Sequence, residues 1–125
     1  MKLREELKEA LQVDLEKWCK GDESALESIL EKGYREIFIT IASKKIFGLH
    51  ITIEPEDLVH DLYLKLQRVR DRHFKNKDDD NISIDVFLRF VDKMMTQIAI
   101  DKVRYTQRTS RGGRSITLNI EDLNL

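Results

Sequence analysis

The segment 84–108 carries side chains that could bind a ligand, because an aromatic ring, an amide and several cations fall on one side of a predicted helix. These residues are Phe90, Lys93, Gln97, Arg104 and Arg108. Phe90, Gln97 and Arg104 repeat every seven residues and so line up along the helix. Rings stack, amides donate and accept hydrogen bonds, and guanidinium groups bind anions. Spacing alone favours a solvated face with one exposed aromatic residue.

Histidine and aspartate residues elsewhere raise the question of a metal site. His60 and Asp61 are adjacent in a predicted helix, but a metal phosphohydrolase needs further ligands, and His50 and His73 fall in or near predicted loops. The acidic run 78–80 lacks the glycine turn and spaced ligands of a calcium loop. We therefore predict no catalytic residue, no metal site, no cofactor and no enzyme. Metal-dependent phosphohydrolysis through His60 and Asp61 is the enzymatic alternative.

Length and composition favour one cytoplasmic domain. The 125 residues can bury a core, and 22 Lys and Arg against 23 Asp and Glu give a net charge of −1 that indicates no particular partner. The single cysteine, Cys19, excludes an internal disulfide framework and fits a reducing compartment. The N-terminus lacks the apolar core of a signal peptide, and the longest uncharged apolar run, 37–42, is too short to span a bilayer. We predict no membrane partner.

Apolar periodicity predicts an all-α fold, a compact bundle of about four helices with an extended C-terminal tail. The predicted helices span 3–19, 24–47, 55–70 and 84–108. Ser24 opens a capping box, Pro55 stands in a first turn, and Ser83 is an N-cap. Gly112-Gly113 marks a joint, so the predicted domain is 1–110 and the linker and tail are 111–125.

Two predicted helices have a well-defined apolar face. In the second it comprises Leu26, Ile29, Leu30, Tyr34, Ile37, Phe38, Ile41 and Ala42, and in the fourth Ile84, Phe87, Leu88, Val91, Met94, Met95, Ile98 and Ala99. The third helix leaves an outward strip of Asp57, His60, Asp61, Leu64 and Lys65. Mixed charge around one leucine suits a protein-binding surface, but the pattern alone favours a solvated face.

Three motifs in register resemble region 2 of bacterial sigma factors, especially the extracytoplasmic-function group. The first is W-x-x-G-D-x-x-A-L from Trp18 to Leu26, the second EDLVHDLYLKLQ at 56–67, and the third FLRFVDKMMTQIAIDKVRYTQR at 87–108. Their order and spacing agree with that group. The resemblance implies a helical region 2 domain that acts in transcription initiation. Sigma factors normally continue into a helix-turn-helix region 4, and the given sequence departs from that pattern.

In such proteins the helix with the second motif docks on the clamp helices of the largest subunit of RNA polymerase. The resemblance therefore assigns an RNA polymerase-binding surface to Asp57, His60, Asp61, Leu64 and Lys65. His60 stands where the group usually has glutamine. A histidine keeps the hydrogen bonding there and would make affinity for the clamp depend on pH.

The resemblance also implies that the third-motif helix captures the promoter minus-ten element as melted, non-template single strand. The expected DNA-binding residues are Phe90, Lys93, Gln97, Arg104, Arg108, Arg111 and, in the loop before the helix, Phe74. Aromatic faces stack on unpaired bases, and Lys and Arg neutralise phosphates. Phe90 replaces a tryptophan of the group, and Gln97 replaces an asparagine that often faces DNA. Asp101 is expected to orient the guanidinium group of Arg104.

Two functions follow from the resemblance. The first is a sigma-factor-like initiation protein that binds core RNA polymerase and recognises or melts the minus-ten element. The alternative is a phage or anti-sigma-like regulator that occupies the sigma site without reading DNA. An anti-sigma factor is a further candidate partner. The sequence given ends at Leu125 without a region 4, so either it is a fragment, or a separate region 4 protein is another partner, or it works without region 4.

Overall fold

The computed structural model describes residues 3–47, 53–69 and 82–109, with side chains up to residue 106 in the last stretch. Within these ranges lie the helices α1 (Glu5–Cys19), α2 (Ser24–Lys32), α3 (Thr40–Ile46), α4 (Pro55–Val69) and α5 (Ile84–Thr109), and a π-helical segment (Tyr34–Ile39) between α2 and α3. The predicted all-α fold is confirmed. None of the helices in these ranges is long and apolar enough to cross a membrane.

The apolar faces of the helices meet in one core. In α5 the predicted stripe faces the core: Phe87, Val91, Met95 and Ala99 are fully out of solvent, and Leu88 and Met94 are half-buried. Trp18, at the end of α1, meets Phe87 edge-on, with ring centroids 5.9 Å apart and ring planes at 74°. Such a pair contributes about 0.5–1.5 kcal/mol beyond its burial. The first and third sequence motifs therefore touch through their aromatic residues.

A π segment after Gly33 interrupts the predicted second helix. The carbonyl oxygen of Gly33 accepts hydrogen bonds from the backbone N–H groups of both Ile37 (2.9 Å) and Phe38 (3.1 Å). A Cβ atom at Gly33 would lie 3.0 Å from side-chain atoms of both residues, so glycine leaves them room in the core. Tyr34, predicted on the apolar face, is instead 36% exposed, because the wider turn gives Ile37 and Phe38 the inward positions.

Side chains cap the starts of α2 and α5. Ser83 Oγ accepts a hydrogen bond from the N–H of Val86 (3.2 Å), which confirms the predicted N-cap. Before α2, Asp22 Oδ1 accepts from the backbone N–H (3.1 Å) and the hydroxyl (2.6 Å) of Ser24. The helix begins at Ser24, but the predicted capping box is not formed: the N-cap residue is Glu23, which makes no side-chain cap hydrogen bond, and Asp22 bonds the first residue of the helix instead. The hydrogen bond from the Ser24 hydroxyl lowers the pKa of Asp22.

Candidate nucleic-acid interface

α5 presents most of its predicted DNA-binding side chains away from the core. Lys93, Gln97 and Arg104 are exposed. Phe90 is half-buried and packs against the core, which corrects the prediction of an exposed ring. At about 100° of rotation per residue, Phe90 lies only about 40° from Met94 around the helix, and Met94 itself packs against the core. The ring therefore sits at the edge of the apolar stripe.

Two ion pairs tie α5 to α4. Lys102 Nζ lies 2.9 Å from Asp61 Oδ2, and Lys65 Nζ lies 3.8 Å from Asp101 Oδ2. One pair has its cation on α5 and the other has its cation on α4, so sliding one helix along the other would break both. A groove of about 310 Å³ between the helices is lined by these four residues and by Tyr105, among others. Two predicted polymerase-binding residues, Asp61 and Lys65, thus contact the helix predicted to bind DNA.

The carboxylate of Asp101 holds the amide of Gln97. Gln97 Nε2 donates a hydrogen bond to Asp101 Oδ1 over 3.3 Å, while the other carboxylate oxygen faces Lys65. The expected contact between Asp101 and Arg104 is not observed among the described side chains. Residues three and four apart on a helix are neighbours. Asp101 contacts Gln97, four residues before it, rather than Arg104, three residues after it.

The outward face of α4 presents the remaining residues predicted to bind polymerase. The helix begins at Pro55, as predicted, and buries Leu58, Val59, Leu62 and Leu66. Asp57, His60 and Leu64 are exposed, and Leu64 keeps 38% of its surface in solvent. The strip predicted from the sequence is therefore a continuous outer surface with a leucine in it.

A larger groove, of about 690 Å³, runs beside this face between α4 and the π segment. Tyr34, Val59, His60 and Tyr63 contribute to its lining. The hydroxyl of Tyr63 donates a hydrogen bond to Glu27 Oε1 (3.1 Å), and burial raises the pKa of Tyr63. Because His60 belongs to both, the groove continues the outer face of α4.

Gln12, on α1, positions the start of α5, and the sequence analysis missed it. Its Oε1 accepts a hydrogen bond from the N–H of Ile84 (2.7 Å), and its Nε2 donates to the carbonyl oxygen of Ile82 (3.0 Å). Together with the Ser83 hydroxyl, this amide fixes the first turn of α5. No local sequence pattern predicts this role of Gln12, because its hydrogen-bond partners lie 70 and 72 residues away in the chain.

Some predicted sites fall outside the described residues. They are Phe74, Arg111, the side chain of Arg108, the acidic run 78–80, and the linker and tail at 111–125. Within the part of the chain that the structure describes, no group of three or more His, Cys, Asp or Glu side chains could hold a metal ion.

The fold is that of a small all-α domain in which α4 and α5 share a polar outer surface. A family model described as ECF sigma factor matches residues 9–124, and the chain belongs to this family. Its role is therefore sigma-factor-like, in transcription initiation, with core RNA polymerase and promoter DNA as partners. The family consists of transcription factors rather than enzymes. No curated protein and no solved structure matches the chain significantly.

Proposed function

We propose that this protein binds core RNA polymerase through the outer face of α4 and captures the minus-ten element of the promoter, as melted non-template strand, along α5. The observation that carries the proposal is the pair of ion pairs between the helices, Asp61–Lys102 and Lys65–Asp101. They connect the mixed charged and apolar surface of α4 to the surface of α5 that exposes Lys93 and Arg104, and the common core packs the two helices together. A polymerase bound to α4 would therefore lie next to α5.

The α5 surface has the composition that single-stranded DNA requires. From Phe90 to Arg104 the helix rises about 21 Å, roughly four turns, and Lys93, Gln97 and Arg104 are exposed along it. The two cations can neutralise phosphates, and the amide can hydrogen-bond a base edge. Phe90 is half-buried against the core, so only part of its ring is available for stacking on a base.

The α4 surface has the composition of a protein contact. Leu64 is 38% exposed and has Asp57 and His60 on the same outer face. An aliphatic anchor within polar residues is the usual anatomy of a protein–protein interface. We assign the clamp helices of the largest polymerase subunit as the partner of this surface. An anti-sigma factor or a separate region 4 protein would be additional partners.

The test is retention of single-stranded DNA by the full chain bound to core RNA polymerase, measured over a range of salt concentrations. Arg104→Ala should weaken binding and flatten the slope of log K against log salt by about 0.7, the value for one phosphate contact on a single strand. Phe90→Ala should also weaken binding, with a smaller change in the slope, because a ring carries no charge.

Lys17→Ala is the matched control, since it removes an exposed cation from α1 rather than from α5. It should leave both affinity and slope unchanged. If the complex retains no more DNA than core polymerase alone, the alternative function is favoured, namely a regulator that occupies the sigma site without reading DNA. Equal effects of Arg104→Ala and Lys17→Ala would contradict the assignment of the DNA surface to α5.

A further inference from the structure

We infer that Tyr105, on the flank of α5 that borders α4, is a further DNA-binding residue, whose ring stacks on an unpaired base beside the phosphate that Arg104 neutralises. This inference rests on the proposed DNA surface of α5. It goes further by adding a residue that no sequence motif assigned and by stating on which flank of the helix the bases and the backbone of the strand lie.

Tyr105 is the most exposed of the three aromatic residues of α5. It leaves 62% of its surface in solvent, whereas Phe87 is fully buried and Phe90 is half-buried against the core. Stacking on a base requires an accessible ring, so Tyr105 can provide more stacking surface than Phe90. A single exposed ring needs no partner by itself, and the groups around it therefore decide its role.

Tyr105 lies at the same level along α5 as the exposed Arg104, but on the neighbouring flank. Consecutive residues of a helix are about 1.5 Å apart along the axis and about 100° apart around it. Gln97 and Arg104 are only about 20° apart around the axis, and Tyr105 lies about 80–100° from both. A strand with a phosphate at Arg104 can therefore place the attached base against Tyr105.

The flank with Tyr105 borders the groove of about 310 Å³ between α4 and α5. Two aliphatic residues, Ile53 and Ile98, also line this groove. Aromatic and aliphatic side chains bury flat, uncharged rings favourably. The groove can therefore accept the far edge of a base that stacks on Tyr105.

The charges of the groove favour a base over a phosphate. Its ionised side chains are three carboxylates and two ammonium groups, namely Asp57, Asp61, Asp101, Lys65 and Lys102. Each ammonium group is paired with a carboxylate, Lys102 with Asp61 at 2.9 Å and Lys65 with Asp101 at 3.8 Å. The carboxylates outnumber the cations and repel a phosphate, whereas a base carries no charge. The backbone of the strand therefore follows Arg104, and the base turns towards Tyr105.

The first experiment measures retention of single-stranded DNA by the full chain bound to core RNA polymerase, over a range of salt concentrations. Tyr105→Ala should weaken retention by about fivefold or more, the lower end of the effect of losing one base–aromatic stack. The slope of log K against log salt should change by less than the value of about 0.7 for one phosphate contact, because the ring carries no charge. Tyr105→Phe keeps the ring and should bind within about twofold of the wild type.

Phe47→Ala is the matched control, since it removes an aromatic ring that is 89% exposed and lies at the end of α3 rather than on α5. It should leave retention unchanged. Circular dichroism should show equal helix content for all three variants, because the substituted rings lie outside the buried core. Titration of core polymerase without DNA should show that Tyr105→Ala leaves polymerase affinity unchanged, which separates a DNA contact from a polymerase contact.

Photocrosslinking locates the contact directly. Strands that the wild-type complex retains are prepared with 5-iodouracil at one position at a time and irradiated in the complex, since irradiation joins this base to an aromatic side chain in contact with it. Stacking tolerates the replacement of one base by another. At one position, mass spectrometry should find the base attached to Tyr105, and Tyr105→Ala should abolish this product.

Unchanged retention by Tyr105→Ala would overturn the inference, as would equal losses for Tyr105→Ala and Phe47→Ala or the lack of any crosslink to Tyr105. A loss of polymerase affinity as large as the loss of DNA retention would overturn it too, because it would place Tyr105 against the polymerase. These results leave the proposed function standing as long as the wild-type complex retains DNA and Arg104→Ala weakens the retention. If the wild-type complex retains no more DNA than core polymerase alone, both proposals fail.

Discussion

The outer faces of α4 and α5 lie side by side but offer a partner different chemistry. On α4, Leu64 is exposed among charged and polar neighbours, which suits burial against another protein. On α5, Lys93, Gln97 and Arg104 are exposed, and cations with an amide suit phosphates and base edges. The difference indicates that the two contacts can be lost separately, although one core supports both.

The largest expected effect comes from a substitution in the core, because the core supports the outer faces of both α4 and α5. Phe87 is fully buried and packs edge-on against Trp18, so Phe87→Ala should lower the free energy of unfolding by about 3–5 kcal/mol. Urea unfolding measures this loss. Binding of polymerase and of DNA should decline together, because the variant weakens the scaffold that both faces share.

The neighbouring exposed residue provides the control for this variant. Val86 is 49% exposed, and Val86→Ala should change the free energy of unfolding by no more than about 0.5 kcal/mol. A loss below about 1 kcal/mol for Phe87→Ala, or a loss of only one of the two binding activities, would show that the faces do not share one cooperative core.

Leu64→Glu should weaken the contact that α4 makes with RNA polymerase and should leave the outer face of α5 unchanged. Placing a charge at the proposed apolar anchor should lower affinity for core RNA polymerase by about thirtyfold or more, the effect of losing one interface hot spot. The protein should still fold, because Leu64 is on the surface. Fluorescence titration of core polymerase with labelled protein measures the affinity.

Val13→Glu is the matched control for Leu64→Glu, since Val13 on α1 is 50% exposed and also aliphatic. It should leave the affinity for polymerase unchanged. If both variants bind as tightly as the wild type, the polymerase surface does not include this part of α4.

The smallest expected effect concerns the ion pair between Asp61 on α4 and Lys102 on α5. The side chains of Lys102 and Asp61 are 30% and 38% exposed, so a double-mutant cycle with Asp61→Asn and Lys102→Gln should give a coupling of about 0.5 kcal/mol in urea unfolding. Polymerase affinity should respond to Asp61→Asn more than to Lys102→Gln, because only Asp61 belongs to the proposed α4 surface. Equal responses would place both residues, or neither, at that interface.

The sequence predicted the elements well where a local pattern determines them. The stripe of α5 and the start of α4 at Pro55 were correct because helical periodicity and a first-turn proline depend only on nearby residues. The π segment was missed because it depends on how Ile37 and Phe38 pack against Gly33. The sequence analysis also assigned Phe90 to the outer face, although the helical period places it about 40° from Met94, and Phe90 is half-buried against the core.

The polar contacts that position the candidate site could not be predicted, because their partners are distant in the chain or have equally close alternatives. The Gln12 amide reaches backbone groups of Ile82 and Ile84, and the buried Asp14 pairs with Ser28 and Lys32 on α2. For Asp101, Gln97 and Arg104 are both close enough along α5. The packing of α4, which brings Lys65 to the carboxylate, is not encoded in that local spacing.

Transcript initiation by core RNA polymerase on a pre-melted template tests the central claim most directly. The melted segment should carry the sequence that the wild-type complex retains from a pool of single-stranded DNA with randomised positions. The account predicts transcripts that depend on this protein and that decline with Leu64→Glu through loss of polymerase binding and with Arg104→Ala through loss of DNA binding. Equal transcript levels with and without the protein, or inhibition by it, would contradict the account.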